Sequence, residues 1–432
     1  MRAVRRDELP GGADATSDDR GVLRFLTCGS VDDGKSTLIG RLLYDTKALL
    51  SDTLATLEKH AQRRGLSALD LSLLTDGLVA EREQGITIDV AYRYFATARR
   101  KFIIGDSPGH VQYTRNMVTA ASTADAAVLL VDARKGIGAQ TRRHATIAGL
   151  LGVRHLIVAV NKMDLVAYAQ PVFDSIAADF RAWLEQQPSL HVRTDTIPLS
   201  ALEGANVVDR DERLDWYAGP TLIELLEQAP AHEADWQAPL RLPVQWVCRP
   251  SQSDFRGYAG RVETGTLCVG DAIVVLPSGH TSRVTAIRIG EREPEQAVAG
   301  ESVMVQLADE IDVSRGDLIA PADDRAPQPR SNFEATICWL GHRPLDPRRE
   351  YVLRHGTRQT RARLSNIAAH LDIETLAWEA GAGAVEFNGI ARVIFSTQHS
   401  IAADSYASSR ATGSFILIDP TSFDTVAAGM IE

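Results

Sequence analysis

The feature that most restricts the fold of this chain is the segment GSVDDGKST, from Gly29 to Thr37. It follows an apolar run, VLRFLTCGS, and opens a segment with helical periodicity, STLIGRLLYD. The spacing is that of G-x-x-x-x-G-K-[ST], in which backbone N–H groups and the N-terminus of a helix hold phosphate groups. Because the pattern needs a strand before it and a helix after it, it predicts a phosphate-binding loop at the edge of an α/β sheet.

Short apolar runs alternate with longer amphipathic segments from residue 21 to about residue 228. Helix-like segments such as TRRHATIAGLLG separate the apolar runs. This alternation predicts a parallel sheet with helices on both faces. The segment from Tyr44 to Ala80 also has a helical pattern and is interpreted as an insertion. The predicted buried strands are VLRFLTCGS (22–30), KFIIGD (101–106), AAVLLVD (126–132) and HLIVAVNK (155–162).

The pattern changes after a polar segment that contains several prolines, EQAPAHEADWQAPLRLP (227–243). Short β-rich runs punctuated by Gly and Asp follow, and a second linker, APADDRAPQPRS (320–331), precedes another β-rich stretch. The predicted organisation is a disordered tail (1–20), an α/β P-loop domain (21–235) and two small β-barrel domains (236–325 and 326–432).

Composition limits the classes of function. A net charge of −10 argues against a chain whose main task is to grip a nucleic-acid backbone, so no nucleic acid is expected as partner. The four cysteines are scattered without a CxxC pair, which favours a reducing compartment. No signal-peptide core and no apolar run of roughly 20 residues is present, so the expected location is cytoplasmic, without membrane association.

Two further motifs predict which base accompanies the phosphates. NKMD (Asn161–Asp164) follows a buried strand, and its last carboxylate can accept hydrogen bonds from the N1–H and 2-amino groups of guanine. Adenine has neither donor and would leave this carboxylate unpaired. SAL (Ser200–Leu202) ends the next predicted strand, where backbone amides can meet the guanine oxygen. Together these motifs predict that the nucleotide is GTP.

The remaining motifs predict the metal and the reaction. DSPGH (Asp106–His110) ends a predicted strand beside the loop, so that Asp106 is expected to hold Mg²⁺ and the following glycine amide to meet the terminal phosphate. Lys35 is expected to reach the β- and γ-phosphates, and Ser36 to place its hydroxyl on Mg²⁺. Thr87, in EREQGITID, suits a mobile loop that closes on Mg²⁺ and the γ-phosphate. The predicted nucleotide contacts are Gly29, Ser30, Val31, Asp32, Asp33, Gly34, Lys35, Ser36, Thr37, Asp106, Ser107, Pro108, Gly109, His110, Asn161, Lys162, Met163, Asp164, Ser200, Ala201 and Leu202.

DSPGH and REQGITID resemble the hallmarks of the translation-factor class of GTPases, whose members carry a P-loop GTPase domain followed by two β-barrels, the architecture of elongation factor Tu. The resemblance implies that His110 positions the attacking water, beside the candidate catalytic groups Thr87 and Lys35. In that class the position of Asp32 also carries Asp, and a hypothesis is that it holds a monovalent cation or braces the loop. Asp33 departs from the histidine or serine that is usual there, and no role is predicted for it.

Within this class, the chain resembles more closely the family of GTP-hydrolysing (large, regulatory) subunits of the bacterial two-subunit ATP sulfurylases, or sulfate adenylyltransferases. The resemblance runs from about residue 22 to the C-terminus. It implies that GTP hydrolysis drives the formation of adenylyl sulfate and pyrophosphate from ATP and sulfate, the first step of sulfate assimilation. A partner catalytic subunit is implied, in a heterodimer or a higher assembly. The similar segments are GSVDDGKSTLIGRLLYDT, DFRGYAGRVETG (254–265), LPSGHTSRVTAI (276–287), DEIDVSRGDLIA (309–320) and ATGSFILIDPTSFDTVAAGMI (411–431).

Two alternative functions and two structural questions stay open at this point. A translation elongation factor that binds aminoacyl-tRNA shares the layout, and a GTP-gated scaffold would use hydrolysis only to time the release of its partner. The arginine-rich stretch HRPLDPRREYVLRHGTRQTRAR (342–363) is either a solvated strand face or a docking surface for an acidic partner. The chain is either a standalone subunit or a part of a fusion with an adenylyl sulfate kinase domain.

Overall fold

The computed structural model describes residues 21–48, 71, 90–107, 114–187, 190, 192–231, 235–249, 255–372, 375, 377–381 and 383–432. The predicted tail at 1–20 and most of the predicted helical insertion lie outside these residues, as do Thr87 and the PGH part of DSPGH (108–110). The chain divides into two compact units, Met1–His232 and Glu233–Glu432. No helix among the described residues is both long and apolar enough to cross a membrane.

The first unit is built on a six-stranded sheet with the order β2-β3-β1-β4-β5-β6. Neighbouring strands are parallel except for β2, which runs antiparallel to β3 at one edge. The four runs predicted as buried strands form β1, β3, β4 and β5, and every residue of β4 and β5 is buried. The strands are β1 (Val22–Cys28), β2 (Ala91–Ala96), β3 (Lys101–Asp106), β4 (Ala126–Asp132), β5 (His155–Asn161) and β6 (Arg193–Pro198).

Helices cover the sheet and close its core. Leu38, Leu42 and Leu226 project from helices onto the sheet, where each is completely buried with Leu23. The last helix of the unit begins at a capping box, in which the Thr221 hydroxyl accepts the third amide of the helix. The described helices are α1 (Lys35–Asp45), α2 (Thr114–Ala121), α3 (Ala139–Leu150), α4 (Gln170–Glu185) and α5 (Leu222–Gln228), with short 3₁₀ turns at Met163–Val166 and Glu212–Leu214.

The order of the strands determines where a ligand can bind. Strand β1 pairs with β3 on one side and with β4 on the other, so the direction of winding reverses at β1. In open parallel sheets, a crevice forms at such a reversal, outside the carboxyl ends of the strands. The loops after β1, β3, β5 and β6, which contain the predicted motifs, leave the sheet at this same edge.

The second unit begins with a closed six-stranded barrel of order β10-β11-β13-β8-β7-β14. Its core is apolar, with Leu242, Tyr258, Ile273 and Val305 almost completely buried. A small two-stranded sheet of β9 and β12 accompanies it. The strands are β7 (Leu242–Cys248), β8 (Gly257–Arg261), β9 (Thr266–Cys268), β10 (Ala272–Leu276), β11 (His280–Arg288), β12 (Gln296–Val298), β13 (Ser302–Leu307) and β14 (Leu318–Pro321).

A second ring of strands follows in the order β16-β20-β21-β15-β19-β17, and pairing of β16 with β17 closes it, with β18 added beside β17. The strands are β15 (Arg330–Trp339), β16 (Glu350–His355), β17 (Arg358–Leu371), β18 (Trp378–Ala380), β19 (Ile390–Ile401), β20 (Ser414–Ile418) and β21 (Thr425–Ile431), and a short helix, α6 (Arg410–Gly413), precedes β20. The predicted fold class, an α/β P-loop domain followed by two β-barrels, is confirmed.

The two barrels of the second unit are joined by charged contacts. The Arg241 guanidinium donates to both oxygens of Asp404, at 2.9 and 2.8 Å. Asp404 lies in the second barrel domain, and Arg241 is only 6% exposed. A second pair, Arg358 with Asp317 at 3.1 Å, also connects the two barrels.

The arginine-rich stretch 342–363 forms β16 and part of β17. Arg361 and Arg363 lie on the surface of these strands and pair with Glu350, at 2.8 and 3.5 Å. Arg349 pairs with Asp419 at 2.7 Å. Because these three guanidinium groups pair with carboxylates on or next to the sheet, the structure favours a solvated strand face over a docking surface.

Candidate functional site

The loop between β1 and α1 needs glycine at both ends. Gly29 has φ +148° and Gly34 has φ +94°, a region that side chains disfavour. A Cβ at Gly29 would lie 2.7 Å from the Leu130 carbonyl, and one at Gly34 would lie 2.4 Å from Asn161 Nδ2. The glycine spacing of the motif therefore has a local cause: the backbone turns sharply and is packed directly against neighbouring groups.

Asp33, one of the two acidic residues inside the loop, turns into it. Its carboxylate accepts the backbone amide of Ser30 at 2.6 Å, and the side chain is almost fully buried. Burial raises the pKa of Asp33, while the Ser30 amide and the nearby Lys35 oppose this shift. The sequence predicted no role for Asp33, and the structure shows a brace between the two ends of the loop.

Lys35 closes the loop from the helix side. Its Nζ donates to the carbonyls of Gly29 at 3.1 Å and Ser30 at 2.8 Å. Burial lowers the pKa of Lys35, and the carboxylates of Asp106 and Asp33 counteract this. The ammonium is thus held against the carbonyl oxygens at the start of the loop.

Asn161, the first residue of NKMD, connects three segments. Its Nδ2 donates to the Asp33 carbonyl at 2.7 Å, and its Oδ1 accepts the Ala201 amide at 2.9 Å. The residue is 2% exposed. Asn161 therefore connects the phosphate loop to the SAL loop. The Ala201 amide, which the sequence analysis considered as a donor to the guanine oxygen, donates to the Asn161 side chain instead.

Lys162 and Asp132 add a charged brace beside Asn161. Lys162 Nζ donates to the Asp32 carbonyl and also to Asp132 Oδ2, the latter at 3.0 Å. The Arg134 guanidinium donates to the same carboxylate through Nε at 3.0 Å and through Nη2 at 2.7 Å. The Arg134 guanidinium holds the pKa of Asp132 well below its usual range, and Lys162 adds to the effect. Sequence reasoning missed Asp132 and Arg134, although an acidic residue at the end of β4 was a visible signal.

His144, on α3, was not predicted either. Its Nδ1 accepts the Gly29 amide at 3.1 Å, and its ring is 1% exposed. Burial lowers the pKa of His144 from 6.5 to about 3, and the positive charge of Lys35 contributes. Because the amide can only donate, Nδ1 of the ring is the acceptor, and the other ring nitrogen, Nε2, lies 2.8 Å from Gln140 Nε2. This histidine fixes the first glycine of the loop.

Asp106 lies at the carboxyl end of β3, opposite Thr27 on β1. Its Oδ1 accepts the Thr27 hydroxyl at 3.2 Å, and the residue is 1% exposed. The next residue, Ser107, donates its hydroxyl to the Thr27 carbonyl at 2.7 Å. A buried carboxylate next to the hydroxyl-bearing first turn of α1, where Ser36 is the second residue, offers only oxygen ligands, the kind that Mg²⁺ prefers.

The end of the crevice where the sequence predicts guanine recognition is formed by NKMD and SAL. Asp164 accepts the Ser200 hydroxyl at 2.6 Å through Oδ1. The Ser200 hydroxyl in turn accepts the Glu203 amide at 3.2 Å. Leu202 is 57% exposed beside them, whereas Met163 is completely buried below the loop. An oriented carboxylate with an exposed apolar side chain next to it can bind a flat base that carries two N–H donors.

The predicted residues that the structure describes therefore lie at one edge of the sheet. Val31, Ser36 and Thr37 lie in the loop or in the first turn of α1 and are half-buried. Thr87, Pro108, Gly109 and His110 lie outside the described residues.

Three comparisons relate the chain to known proteins. Residues 20–232 match the family model described as "Elongation factor Tu GTP binding domain", and residues 332–432 match "GTP-eEF1A C-terminal domain-like". Sulfate adenylyltransferase subunit 1 of Aeromonas salmonicida is 51% identical over 415 residues, which cover 95% of this chain and 87% of the relative. The bifunctional enzyme CysN/CysC of Mycobacterium tuberculosis is 50% identical over 414 residues, which cover 95% of this chain and 67% of the relative. A solved structure of sup35 complexed with GMPPNP covers 95% of this chain and 93% of that chain, at 24% identity and a TM-score of 0.43.

Proposed function

This chain belongs to the sulfate adenylyltransferase subunit 1 family, and we propose on that premise that it is a GTPase component of a sulfate adenylyltransferase. The observation that carries the proposal is the placement of a base-reading carboxylate, Asp164, and a phosphate loop at one sheet edge, joined by the single side chain of Asn161.

The phosphate end fits a nucleoside triphosphate. In the proposed complex, the amides of the loop and of the first turn of α1 donate to phosphate oxygens, as at other helix N-termini that follow such loops. Lys35 leaves the carbonyls of Gly29 and Ser30 and contacts the β- and γ-phosphates. The Asp33 carboxylate accepts the Ser30 amide in the structure, so it would have to turn away before that amide could donate to a phosphate oxygen.

Residues Asp106, Ser36 and Thr87 would hold Mg²⁺ together with the phosphate oxygens. Oxygen ligands of this type fit the preference of Mg²⁺, which is usually bound by one or two protein groups plus phosphates and waters. The ion would neutralise charge on the β- and γ-phosphates during phosphoryl transfer. The side chain of Asp106 is already fixed by Thr27, so little ordering is needed.

The base end selects guanine. Asp164 would accept the N1–H and the 2-amino group, and the Ser200 hydroxyl keeps its carboxylate in the required orientation. Leu202 and the aliphatic stem of Lys162 would cover the two faces of the base. At the phosphate end, Ser36, Thr37 and the remaining residues of the loop would contribute backbone amides to the phosphates.

Hydrolysis itself needs positioning more than covalent chemistry. In the proposed mechanism, His110 orients the attacking water, Thr87 closes over the γ-phosphate, and Lys35 stabilises charge that develops on the transferred group. The water oxygen forms a bond to the γ-phosphorus while the bond to the β–γ bridging oxygen breaks, which gives GDP and phosphate.

The energy released would be used by a partner. Sulfate adenylyltransferase relatives are named as subunit 1, which implies a second subunit that carries out the adenylyl transfer. In that transfer a sulfate oxygen attacks the α-phosphorus of ATP, adenylyl sulfate forms and pyrophosphate leaves. The new phosphate–sulfate anhydride is higher in energy than the bond that is broken, so coupling to GTP hydrolysis makes the step favourable.

The proposal is tested by measuring GTP hydrolysis of this chain with a catalytic sulfate adenylyltransferase subunit, with and without ATP plus sulfate. Pyrophosphate release is followed in the same reactions. We expect both signals to rise together and to depend on GTP. Asp164→Asn should abolish both with GTP and restore them with xanthosine triphosphate, because xanthine offers a carbonyl oxygen where guanine has its 2-amino group.

Rescue by the xanthosine nucleotide separates loss of base recognition from loss of folding. If hydrolysis ignores the partner and its substrates but responds to ribosomes, or if the chain retains aminoacyl-tRNA in a filter-binding assay, the translation-factor alternative replaces this proposal. If hydrolysis responds to the partner without pyrophosphate release, the chain is a GTP-gated scaffold.

A further inference from the structure

Two loops form the base end of the site, and a group of exposed polar residues links them. Tyr168 follows the 3₁₀ turn that contains Asp164, and its hydroxyl donates to Glu203 at 2.6 Å. Glu203 comes directly after SAL and pairs with Arg213. The Arg213 guanidinium also stacks over the Tyr168 ring, 4.4 Å from its centre. We refer to Tyr168, Glu203 and Arg213 as the loop clamp.

The geometry of the clamp is imposed by its surroundings. Ala167 and Tyr168 both have positive φ, +51° and +55°, which is unfavourable for residues with a side chain. The Tyr168 amide donates to the Met163 carbonyl at 2.8 Å, and the Tyr168 carbonyl accepts the Trp216 indole N–H at 3.0 Å. These contacts compensate the strained backbone and direct the tyrosine toward SAL.

Arg213 is also held in place by Asp211, which lies outside the loop clamp. Asp211 holds its guanidinium with two hydrogen bonds, at 2.9 and 2.6 Å, and also accepts its backbone amide at 2.9 Å. A forked contact of this kind keeps the planar group in one orientation. The Tyr168 hydroxyl, followed by Arg213, lowers the pKa of Glu203, so the carboxylate stays ionised and able to accept from both.

The contacts close into a ring that includes the base-reading carboxylate. From Asp164 the chain leads through the 3₁₀ turn to Tyr168, whose hydroxyl reaches Glu203. The Glu203 amide donates to the Ser200 hydroxyl, and this hydroxyl donates to Asp164. A shift of Glu203 would therefore move the Ser200 hydroxyl and rotate the Asp164 carboxylate.

We propose that Tyr168, Glu203 and Arg213 are positioning residues that hold the two base-reading loops together, and that they set the release rate of the guanine nucleotide and its preference over bases that lack the 2-amino group. This inference rests on the proposed guanine-nucleotide site. The residues act through Ser200 and Asp164 and do not themselves touch the base. Part of the ring is solvent-exposed, with Glu203 and Arg213 side chains 41% and 47% exposed, so it can open without unfolding the domain.

The test measures the dissociation rate of a fluorescent GDP and the affinities for GDP and IDP in the full chain. Tyr168→Phe removes only the hydroxyl and keeps the ring under Arg213, and Glu203→Gln removes only the charge. We expect each variant to release GDP about three to ten times faster, and the GDP:IDP affinity ratio to fall by a similar factor, which is the usual size of one ordinary hydrogen bond and below that of a buried charge-assisted one because the clamp is partly exposed. Arg181→Leu, an exposed arginine on α4, is the matched control and should change neither quantity.

The outcomes separate this inference from the proposed function. If the unaltered chain shows no preference for GDP over ADP, the proposed guanine site is wrong and the clamp with it. If it prefers GDP but both variants keep the dissociation rate and the GDP:IDP ratio within about twofold, the clamp does not position Asp164. Equal losses for GDP and IDP with lower thermal stability indicate a purely structural role and also overturn the inference. Arg213→Lys keeps the charge but loses the fork, and an intermediate effect is expected.

Discussion

The two ends of the proposed nucleotide crevice are held in place by different means. At the phosphate end, single buried groups hold the loop: Asn161, Asp33 and His144 are each at most 3% exposed. At the base end, Tyr168, Glu203 and Arg213 form a network that water reaches. Loss of a buried polar partner lowers stability strongly because the group left behind cannot hydrogen-bond to water. An exposed partner is readily replaced by water.

This difference implies a division of work. In the proposed function, the phosphate loop keeps one shape whether or not nucleotide is bound, since several amides have to point at the same oxygens together. The base loops would have to open for exchange, and a partly solvated network allows that at a small free-energy cost. Mutations at the two ends should therefore differ in size and in what they change, and the following experiments test this expectation.

The largest effect is expected at Asn161. Asn161→Ala removes two buried hydrogen bonds and leaves the Asp33 carbonyl and the Ala201 amide without their partner. We expect the free energy of unfolding to fall by about 2–4 kcal/mol and guanine-nucleotide affinity to be lost, because both loops are released. Urea unfolding with and without GDP measures both consequences.

Asn161→Asp is the sharper version of this experiment. The carboxylate has the same shape and still accepts the Ala201 amide, but an oxygen now faces the Asp33 carbonyl in place of the donor. Stability should fall at least as far as in the alanine variant. If both variants lose less than about 1 kcal/mol, the loop is not braced by buried single contacts and the contrast between the two ends disappears.

His144 gives an effect of intermediate size with a pH signature. Its folded pKa, about 3, lies below the ordinary value of 6.5, so between these values the unfolded chain binds a proton that the folded chain excludes. Stability that depends on neutral His144 is therefore present at pH 7 and is lost as the pH falls. From pH 7.0 to pH 5.0 the loss should be about 2 kcal/mol, since the full slope of about 1.4 kcal/mol per pH unit is reached only below the unfolded pKa.

His144→Leu removes this titration. We expect the variant to lose about 1–3 kcal/mol at pH 7, because the Gly29 amide is left unpaired, but to lose less than the wild type on acidification. Urea unfolding at pH 7.0 and pH 5.0 gives both numbers. His144→Asn, which keeps an acceptor without an acid transition in this range, should restore part of the stability at pH 7. An unchanged acid slope in the leucine variant would contradict the assignment.

The sequence predicts the groups whose roles follow from local spacing. The glycines of the phosphate loop, Lys35, and Asp164 in NKMD are recognisable because their chemistry depends on a fixed position after a strand. The same reasoning gives the strand–helix alternation and therefore the sheet with its crevice. It also gives the class of the C-terminal domains, although neither the strand order nor the closure of the barrels can be read from short β-rich runs.

The partners of those groups could not be predicted in the same way. His144 meets Gly29 across 115 residues, and Asp132 meets Lys162 across 30, so these pairs exist only after the sheet has assembled. Strand β2 was missed because it lies at a sheet edge, where exposed residues such as Tyr94 interrupt the apolar run. A strand was expected before SAL, but the bounds of β6 could not be predicted because its first half is polar. A histidine at a helical position facing the core gave a signal for burial but none for its hydrogen bond.

The smallest effect is expected at Arg134. Its side chain is 48% exposed, and Lys162 still pairs with Asp132 when it is removed. Arg134→Ala should therefore lower the free energy of unfolding at pH 7 by much less than either Asn161→Ala or His144→Leu. Because the folded pKa of Asp132 is lowered, the contribution of this pair is present above the unfolded value of 3.8 and is lost as the pH falls further. The difference between variant and wild type should accordingly shrink below about pH 4 and in 1 M salt.

Arg134→Lys, which retains a charge without the fork, should have a stability between those of Arg134→Ala and the wild type. A loss as large as that of His144→Leu would mean that a partly exposed arginine matters as much as a buried brace, and burial would then not explain the contrast between the two ends of the crevice.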